Sequence, residues 1–339
     1  MRRYGYLYDK IISMENLRVA ESKARDGKEH TYGVRLFDKD REGNLYKLHC
    51  MLRDKTFKTS KYDIFIIHEP KERVIYRLPY FPDRIVHHAI MNVMEKIWCS
   101  VFTGNTYSCI KGRGIDGCAR KVWRIIQSFD MSKPLYCLKI DIRKFYPSIN
   151  HDVMKMIIRK KIKDEDLLWL LDEIIDSAEG LPIGNYISQY LANLYLAYLM
   201  HYVNEDLKVL STEYADDIVF FSDNKESLRD ALDKIRVKIE GGLKLRIKDN
   251  WQIFPIAMNR YDNSGRALDY VGFKFYRGQR LMRKSIKQNF CREYHKQAKK
   301  GIIGKKLKMR VSAWLGWAKH SNSRHLLKKM GIFEHIKDI

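Results

Sequence analysis

The sequence predicts an α+β fold built around antiparallel strands, on three observations. Short apolar runs read as strands, "LYCLKI" at 135–140 among them, and two such runs flank a tight turn in "TEYADDIVFFS" at 212–222. Longer stretches repeat apolar residues at helical spacing, as in "EDLLWLLDEIIDS" at 165–177. From about Leu281 the chain reads as basic helix to its end. A chain of 339 residues is too long for one small core and predicts two or three subdomains.

In chain order, the first 60 residues read as polar helix, "ENLRVAESKARDGK" being the clearest case. Residues 61–86 read as extended, in "YDIFIIHEP" and "RVIYRLPYFPDR", punctuated by Pro70, Pro79 and Pro82. In the helix expected next, "IVHHAIMNVMEKIW", Val86, Ile90, Val93 and Ile97 form an apolar stripe. His87 and His88 fall in this helix; one of them reads as a buried or capping histidine, contact with a bound strand being the alternative. Gly112, Gly114 and Gly117 make a turn before the next helix; without the GK[ST] ending this is no P-loop, and it is either a plain turn or one that brings Arg113 to a phosphate. The strand at 135–140 ends at Asp141, and Asn150 is placed to cap "HDVMKMIIRKKI". Leu167, Leu171, Ile174 and Ile175 form a core stripe. "GLPIGNYISQYLANLYLAYL" reads as a loop entering a buried helix that holds Gln189 and Asn193, with Gln189 bracing the loop. "LKLRIKDNW" and "ALDYVGFKFYRG" read as further strands.

Composition narrows the function. The chain carries 64 Lys and Arg against 41 Asp and Glu, a net charge of +23, which attracts polyanions. Between Arg277 and Arg310 thirteen basic residues meet one acid, Glu293, with Phe290, Tyr294, Trp314 and Trp317 nearby. Basic groups with interleaved aromatics suit phosphates and bases, although tryptophans of a basic helix also serve its core. The six cysteines show no CxxC pairing, which argues against a zinc ribbon or a disulfide framework and for a reducing, cytoplasmic setting. No apolar run is long enough to cross a bilayer, and the N-terminus lacks the pattern of a signal peptide.

Asp216 and Asp217 stand side by side in an apolar hairpin, and Asp141 ends a neighbouring strand. A turn rich in aspartate is the plain reading. If the strands pair, however, three carboxylates converge, and close like charges call for cations. Hard oxygen ligands beside phosphate suit Mg²⁺, and two such ions about 4 Å apart activate an attacking hydroxyl and stabilise a leaving phosphate oxygen.

With these motifs in order, the sequence resembles the reverse transcriptase family over roughly residues 60–280. "YADD" at 214–217 looks like the family's metal-binding hairpin, and "LKIDIRKFYPSIN" like its first carboxylate motif. "LPIGNYISQYLANLYL" is similar to its template- and nucleotide-contacting loop and helix, and "RVIYRLPYFPDRIVHHAI" to its fingers segment. "IKDNW" and "LDYVGFKF" are similar to the lysine strand and the primer-grip hairpin.

The resemblance implies a right-hand polymerase: a helical extension of the fingers at 1–60, fingers and an antiparallel palm at 61–280, and a basic helical thumb at 281–339. It implies that Asp141, Asp216, Asp217 and the carbonyl of Ile142 hold two Mg²⁺ ions, for which Mn²⁺ can substitute, with Asp141 and Asp216 mattering most. Tyr146 stands at the sugar-gate position, which implies dNTP use. Arg73, with Arg77 as a nearby substitute, is placed for the incoming triphosphate, and Ile183, Gly184 and Gln189 for the nucleotide. Lys248 is placed as general acid toward pyrophosphate, a plain surface lysine being the alternative. Tyr270, Gly272 and Phe273 would steer the primer end, and Arg113 the primer or template.

One departure is informative. Many members carry Gln-Gly where this chain has Ile183-Gly184, and an apolar contact supplies only ~1–3 kcal/mol of selectivity. "IGNxxSQ" and "SAWLGWAKHSNS" look like the diversity-generating retroelement branch, and no maturase, RNase H or endonuclease segment is visible. That branch implies error-prone copying of template RNA into cDNA with misinsertion opposite adenine, in a bacterial or phage-infected cell. It also implies a small, basic, pentameric accessory protein. The alternatives are a defence- or phage-associated reverse transcriptase of ordinary fidelity, and a catalytically silent RNA-binding relative.

Overall fold

The computed structural model describes residues 3–68 and 72–336, so Pro70 lies outside the described residues. The chain divides into two compact units, each discontinuous in sequence. The first comprises Met1–Thr106, Ile142–Tyr202 and Ile235–Ile247, and the second Tyr107–Asp141, Val203–Lys234 and Lys248–Ile339.

The first unit opens with helices Tyr8–Ile12, Met14–Arg25, Tyr32–Phe37 and Arg41–Arg53. Ser13 caps the second by accepting the Asn16 N–H, and Asp40 caps the fourth through Gly43 N–H. Leu17, Ala20, Leu45, Leu48 and Leu52 are wholly buried. Glu21 is buried among them, and its carboxylate is satisfied by Arg25, Arg41 and the Tyr80 hydroxyl. Strands β1 (Asp63–Ile67) and β2 (Arg73–Arg77) pair antiparallel, within the stretch expected to be extended.

Residues Tyr80–Arg84, expected to be extended, are extended at Phe81 (φ −113°, ψ 135°) and otherwise make a kinked turn that runs into helix Ile85–Cys99. Side chains fix that turn: Asp83 accepts the Ser60 N–H, Arg84 donates to the Leu78 carbonyl, and Tyr80 reaches Glu21. The stripe expected on the following helix also shifts. Val86 and Ile90 of the expected stripe are buried, together with Ile85, Ala89, Met91, Met94 and Trp98, while Val93 and Ile97 are half-buried. Helices Tyr8–Ile12 and Met14–Arg25 both pack against this helix, so burial follows two partners rather than one seam. His87 is buried, and His88 stacks on Tyr186 with ring centroids 4.5 Å apart.

Asn150 caps helix His151–Arg159 by accepting the Val153 N–H. Helix Glu165–Ile175 buries the expected leucine and isoleucine stripe. In helix Tyr186–Glu205 Asn193 is buried, but Gln189 is exposed. The loop before it is braced instead by Asn185, whose amide donates to the Tyr62 hydroxyl.

"LKLRIKDNW" does not form a strand. Its alternation is present, with Leu243, Leu245 and Ile247 buried and Lys244 and Arg246 exposed, yet only Ile247 makes a bridge, to Ile142.

The second unit is built on a four-stranded antiparallel sheet of β3 (Tyr136–Asp141), β4 (Leu210–Tyr214), β5 (Asp217–Ser222) and β6 (Gln252–Pro255), in the order β4-β5-β3-β6. Helix Ile115–Ser128 buries Cys118, Val122, Ile125 and Ile126 in the same core. Gly114 starts that helix at a φ of +117°, whereas Gly117 lies within the helix, not in the turn before it. A second antiparallel sheet holds β7 (Leu268–Tyr270), β8 (Phe273–Phe275) and β9 (Arg280–Met282). Strand β9 occupies the position where helix was expected to begin, and helices start at Lys284.

Four helices follow, Lys284–Lys299, Gly304–Lys319, Arg324–Lys329 and Ile332–His335, with a core of their own. Phe290 and Tyr294 belong to that core, which removes them from any nucleic-acid surface, and Trp314 lies parallel to Phe290. Among the described residues no helix is long and apolar enough to cross a membrane.

Candidate active site

The register of the central sheet brings two of the carboxylates together. β3 and β5 run antiparallel with Asp141 directly opposite Asp217, so the last residue of one strand faces the first of the other. Ala215 and Asp216 form the two-residue turn between β4 and β5. Ala215 adopts a φ of +54°, a region that non-glycine residues enter at a cost and that tight hairpins require. Asp216 therefore sits at the tip, and Asp217 already belongs to the ladder. Beneath them Ile140, Ile218, Val219, Phe220 and Phe221 are buried, so the acidic end rests on a rigid apolar base.

Because strand side chains alternate, Lys139 shares a face with Asp141. Its ammonium lies 3.1 Å from Asp217 Oδ2 and donates to the Asp269 carbonyl at 2.9 Å. Lys248 Nζ lies 2.5 Å from Asp141 Oδ1, as an ion pair outside hydrogen-bonding alignment, and the Lys248 N–H donates to the Asp141 carbonyl. The Tyr270 hydroxyl, wholly buried, donates to the Asp217 carbonyl at 2.9 Å. Burial pushes the Asp217 carboxyl up to about 6; Lys139 pulls it down, and the charges of Asp141 and Asp216 push it further up.

Among the described residues no group of three His, Cys, Asp or Glu side chains encloses a common point. Two features nevertheless fit a hard divalent cation. The donors are all carboxylate oxygens, and Asp217 Oδ1 is buried without a hydrogen-bond partner among the described residues. Beside this face a cavity of about 310 Å³ is lined by Lys139, Asp141, Asn250, Gln252, Arg266 and Asp269.

The β7–β8 hairpin turns at Val271 and Gly272, both with positive φ. A Cβ on Gly272 would meet the Trp317 ring at 2.2 Å, so this glycine is fixed by packing. Tyr270 and Phe273 are wholly buried, which leaves the turn's backbone as its outward part. Arg113 is half-buried between two glycines of positive φ.

In the first unit the loop at 180–184 links two candidate nucleotide contacts. Leu181 N–H donates to the Tyr146 carbonyl, and the Ile183 carbonyl accepts from Tyr76 N–H on β2. Tyr146 is half-buried with its ring edge-on to Phe145. Arg73 is exposed on β2, while Arg77 is paired with Asp63. Ile142 is buried, and Ile183 is half-buried.

Sequence reasoning missed Lys139, Asp269 and the Tyr270 hydroxyl bond. The available signal was a lysine two residues before Asp141, on the same strand face.

The chain superposes on telomerase from Candida tropicalis in complex with a TWJ fragment of telomeric RNA at a TM-score of 0.50, with 12% identity over 85% of this chain and 59% of that one. For telomerase from Candida albicans, also with a TWJ fragment, the TM-score is 0.50, with 9% identity over 85% and 58%. The fold is thus that of a right-hand polymerase. Residues 66–252, more than half of the chain, match the family described as reverse transcriptase (RNA-dependent DNA polymerase), and the chain belongs to that family. Protein YkfC of Escherichia coli strain K12 is 24% identical over 247 residues, 69% of this chain and 56% of its own length. An uncharacterized 91 kDa protein in the cob intron of Schizosaccharomyces pombe is 23% identical over 143 residues, 39% of this chain and 17% of its own. The chain therefore spans between a sixth and three fifths of the relatives it matches.

Proposed function

We propose that the chain is an RNA-templated DNA polymerase whose carboxylates act on dNTPs with Mg²⁺. The observation that carries this reading is Asp141 directly opposite Asp217, with Asp216 at the adjoining tip, on an otherwise apolar sheet. In this reading Asp141, Asp216, Asp217 and the Ile142 carbonyl hold two Mg²⁺ ions, with Mn²⁺ able to substitute. The bound ions supply charge stabilisation on phosphate and acidify the attacking hydroxyl. The protein's part is to hold the carboxylates rigidly at the sheet end.

Lys248, beside Asp141, is suited to protonate the leaving pyrophosphate. Arg73 is suited to the triphosphate through paired hydrogen bonds, with Arg77 as its neighbour, and Tyr146 to exclusion of a ribose 2′-hydroxyl. Ile183, Gly184 and Gln189 would meet the nucleotide, while the turn at Gly272, flanked by Tyr270 and Phe273, and Arg113 would meet primer and template.

The same reading assigns a fingers extension to 1–60, fingers and palm to 61–280, and thumb to 281–339. The partners are template RNA, a primer strand and dNTPs. The pairing Ile183-Gly184, followed by "NYISQ", supports error-prone cDNA synthesis in a diversity-generating retroelement, in a bacterial cytoplasm and with a small basic pentameric accessory protein. The test is incorporation of labelled dNTP with Mg²⁺ by the wild-type chain and by Asp216→Asn. The variant should lose incorporation, and activity that survives the change removes Asp216 from the reaction.

A further inference from the structure

Each of the two opposed carboxylates already has its own ammonium: Lys139 for Asp217 and Lys248 for Asp141. Lys139 is not an ordinary surface lysine. Its side chain is 29% exposed, and its charge is shared between the Asp217 carboxylate and the main chain of β7 at Asp269. It also stands 5.6 Å from the centre of the Tyr270 ring, whose hydroxyl holds the carbonyl of the same aspartate. Asp217 is therefore gripped at its side chain by Lys139 and at its backbone by Tyr270. The Asp269 carboxylate is held in turn by Arg283, at 2.8 and 2.5 Å.

Like charges placed directly opposite on paired strands destabilise the pairing, so a sheet end carrying these carboxylates needs a counter-charge before any metal arrives. Resting on the metal-site reading above, we propose that Lys139 is a positioning residue. It is a tethered cation that holds Asp217 in the metal-free protein and gives up that oxygen when a divalent ion enters.

The bond to the Asp269 carbonyl keeps the ammonium close after the exchange. Two consequences of opposite sign follow. Lys139 stabilises the metal-free fold, and it weakens metal binding, because the ion competes with it for Asp217 Oδ2. A lysine that merely supported the sheet would favour both.

The test uses the full chain without nucleic acid. Free Mn²⁺ is followed by electron paramagnetic resonance during titration, and melting is recorded in EDTA and in saturating Mn²⁺. Lys139→Met should melt lower in EDTA, bind Mn²⁺ about five-fold more tightly, and recover most of its melting deficit when Mn²⁺ is added. Lys139→Arg, which keeps the charge, should behave as wild type. Lys139→Gln gives the same two directions should the methionine variant not fold. Unchanged or weaker Mn²⁺ binding in the neutral variants overturns the proposal. If the wild type shows no saturable binding, or if Asp216→Asn leaves binding unaltered, the metal-site reading fails and the proposal falls with it.

Discussion

Single residues here carry constraints that composition hides. Gly184 has a φ of +121°, and a Cβ there would meet the Tyr76 carbonyl at 2.4 Å. Gly184→Ala should destabilise the fold by about 2 kcal/mol, read as a lower melting temperature, because both backbone strain and a backbone clash must be relieved. His87 gives a pH dependence. Burial lowers its pKa to about 3, with the charges of His88 and Arg84 adding to the effect. Unfolded, a histidine takes up a proton near pH 6.5, so the unfolded state binds more protons between those values. Stability present above pH 6.5 is thus lost as pH falls through that value, by about 2 kcal/mol at pH 5. His87→Gln should flatten that part of a stability-against-pH curve, and an unchanged slope would contradict the burial argument. The aspartates were legible in the sequence because two acids in an apolar run need a reason. Lys139 was not, since a lysine at an alternate strand position has the same pattern whether it faces water or a carboxylate.

At the scale of elements, the sequence was readable where a local rule and the tertiary fold agree. The hairpin β4–β5 follows from two apolar runs flanking a tight turn, although the turn itself is only Ala215 and Asp216, with Asp217 already in β5. Asn150 caps its helix through Val153 as its position predicts, and Asn150→Ala should cost about 1 kcal/mol, measured by denaturant unfolding with an unchanged m-value. Reading failed where partners decide. Residues 243–247 alternate correctly but lack a neighbouring strand over most of their length, and alternation alone supplies no ladder. Tyr80–Arg84 make a kinked turn, extended only at Phe81, where side chains meet Ser60, Leu78 and Glu21, contacts made across 6 to 59 positions of sequence. Phe290 and Tyr294 read as interleaved among basic residues, yet helix periodicity puts them in the core.

For the molecule as a whole, a charge of +23 and a family match over residues 66–252 both support the proposal that nucleic acid is the substrate. Exposed lysines such as Lys299, Lys300, Lys305 and Lys306 remain available to phosphates, while the aromatics beside them serve packing. The central claim is that the aspartate face performs RNA-templated DNA synthesis in a site with few polar checks on the nucleotide. Primer extension on a defined RNA template, with Mg²⁺ and all four dNTPs and with products sequenced, tests it most directly. The account predicts full-length DNA with errors concentrated opposite template adenine, fewer errors in Ile183→Gln, and no product from Asp216→Asn. Absence of product from the wild type, or equal synthesis by Asp216→Asn, would contradict it.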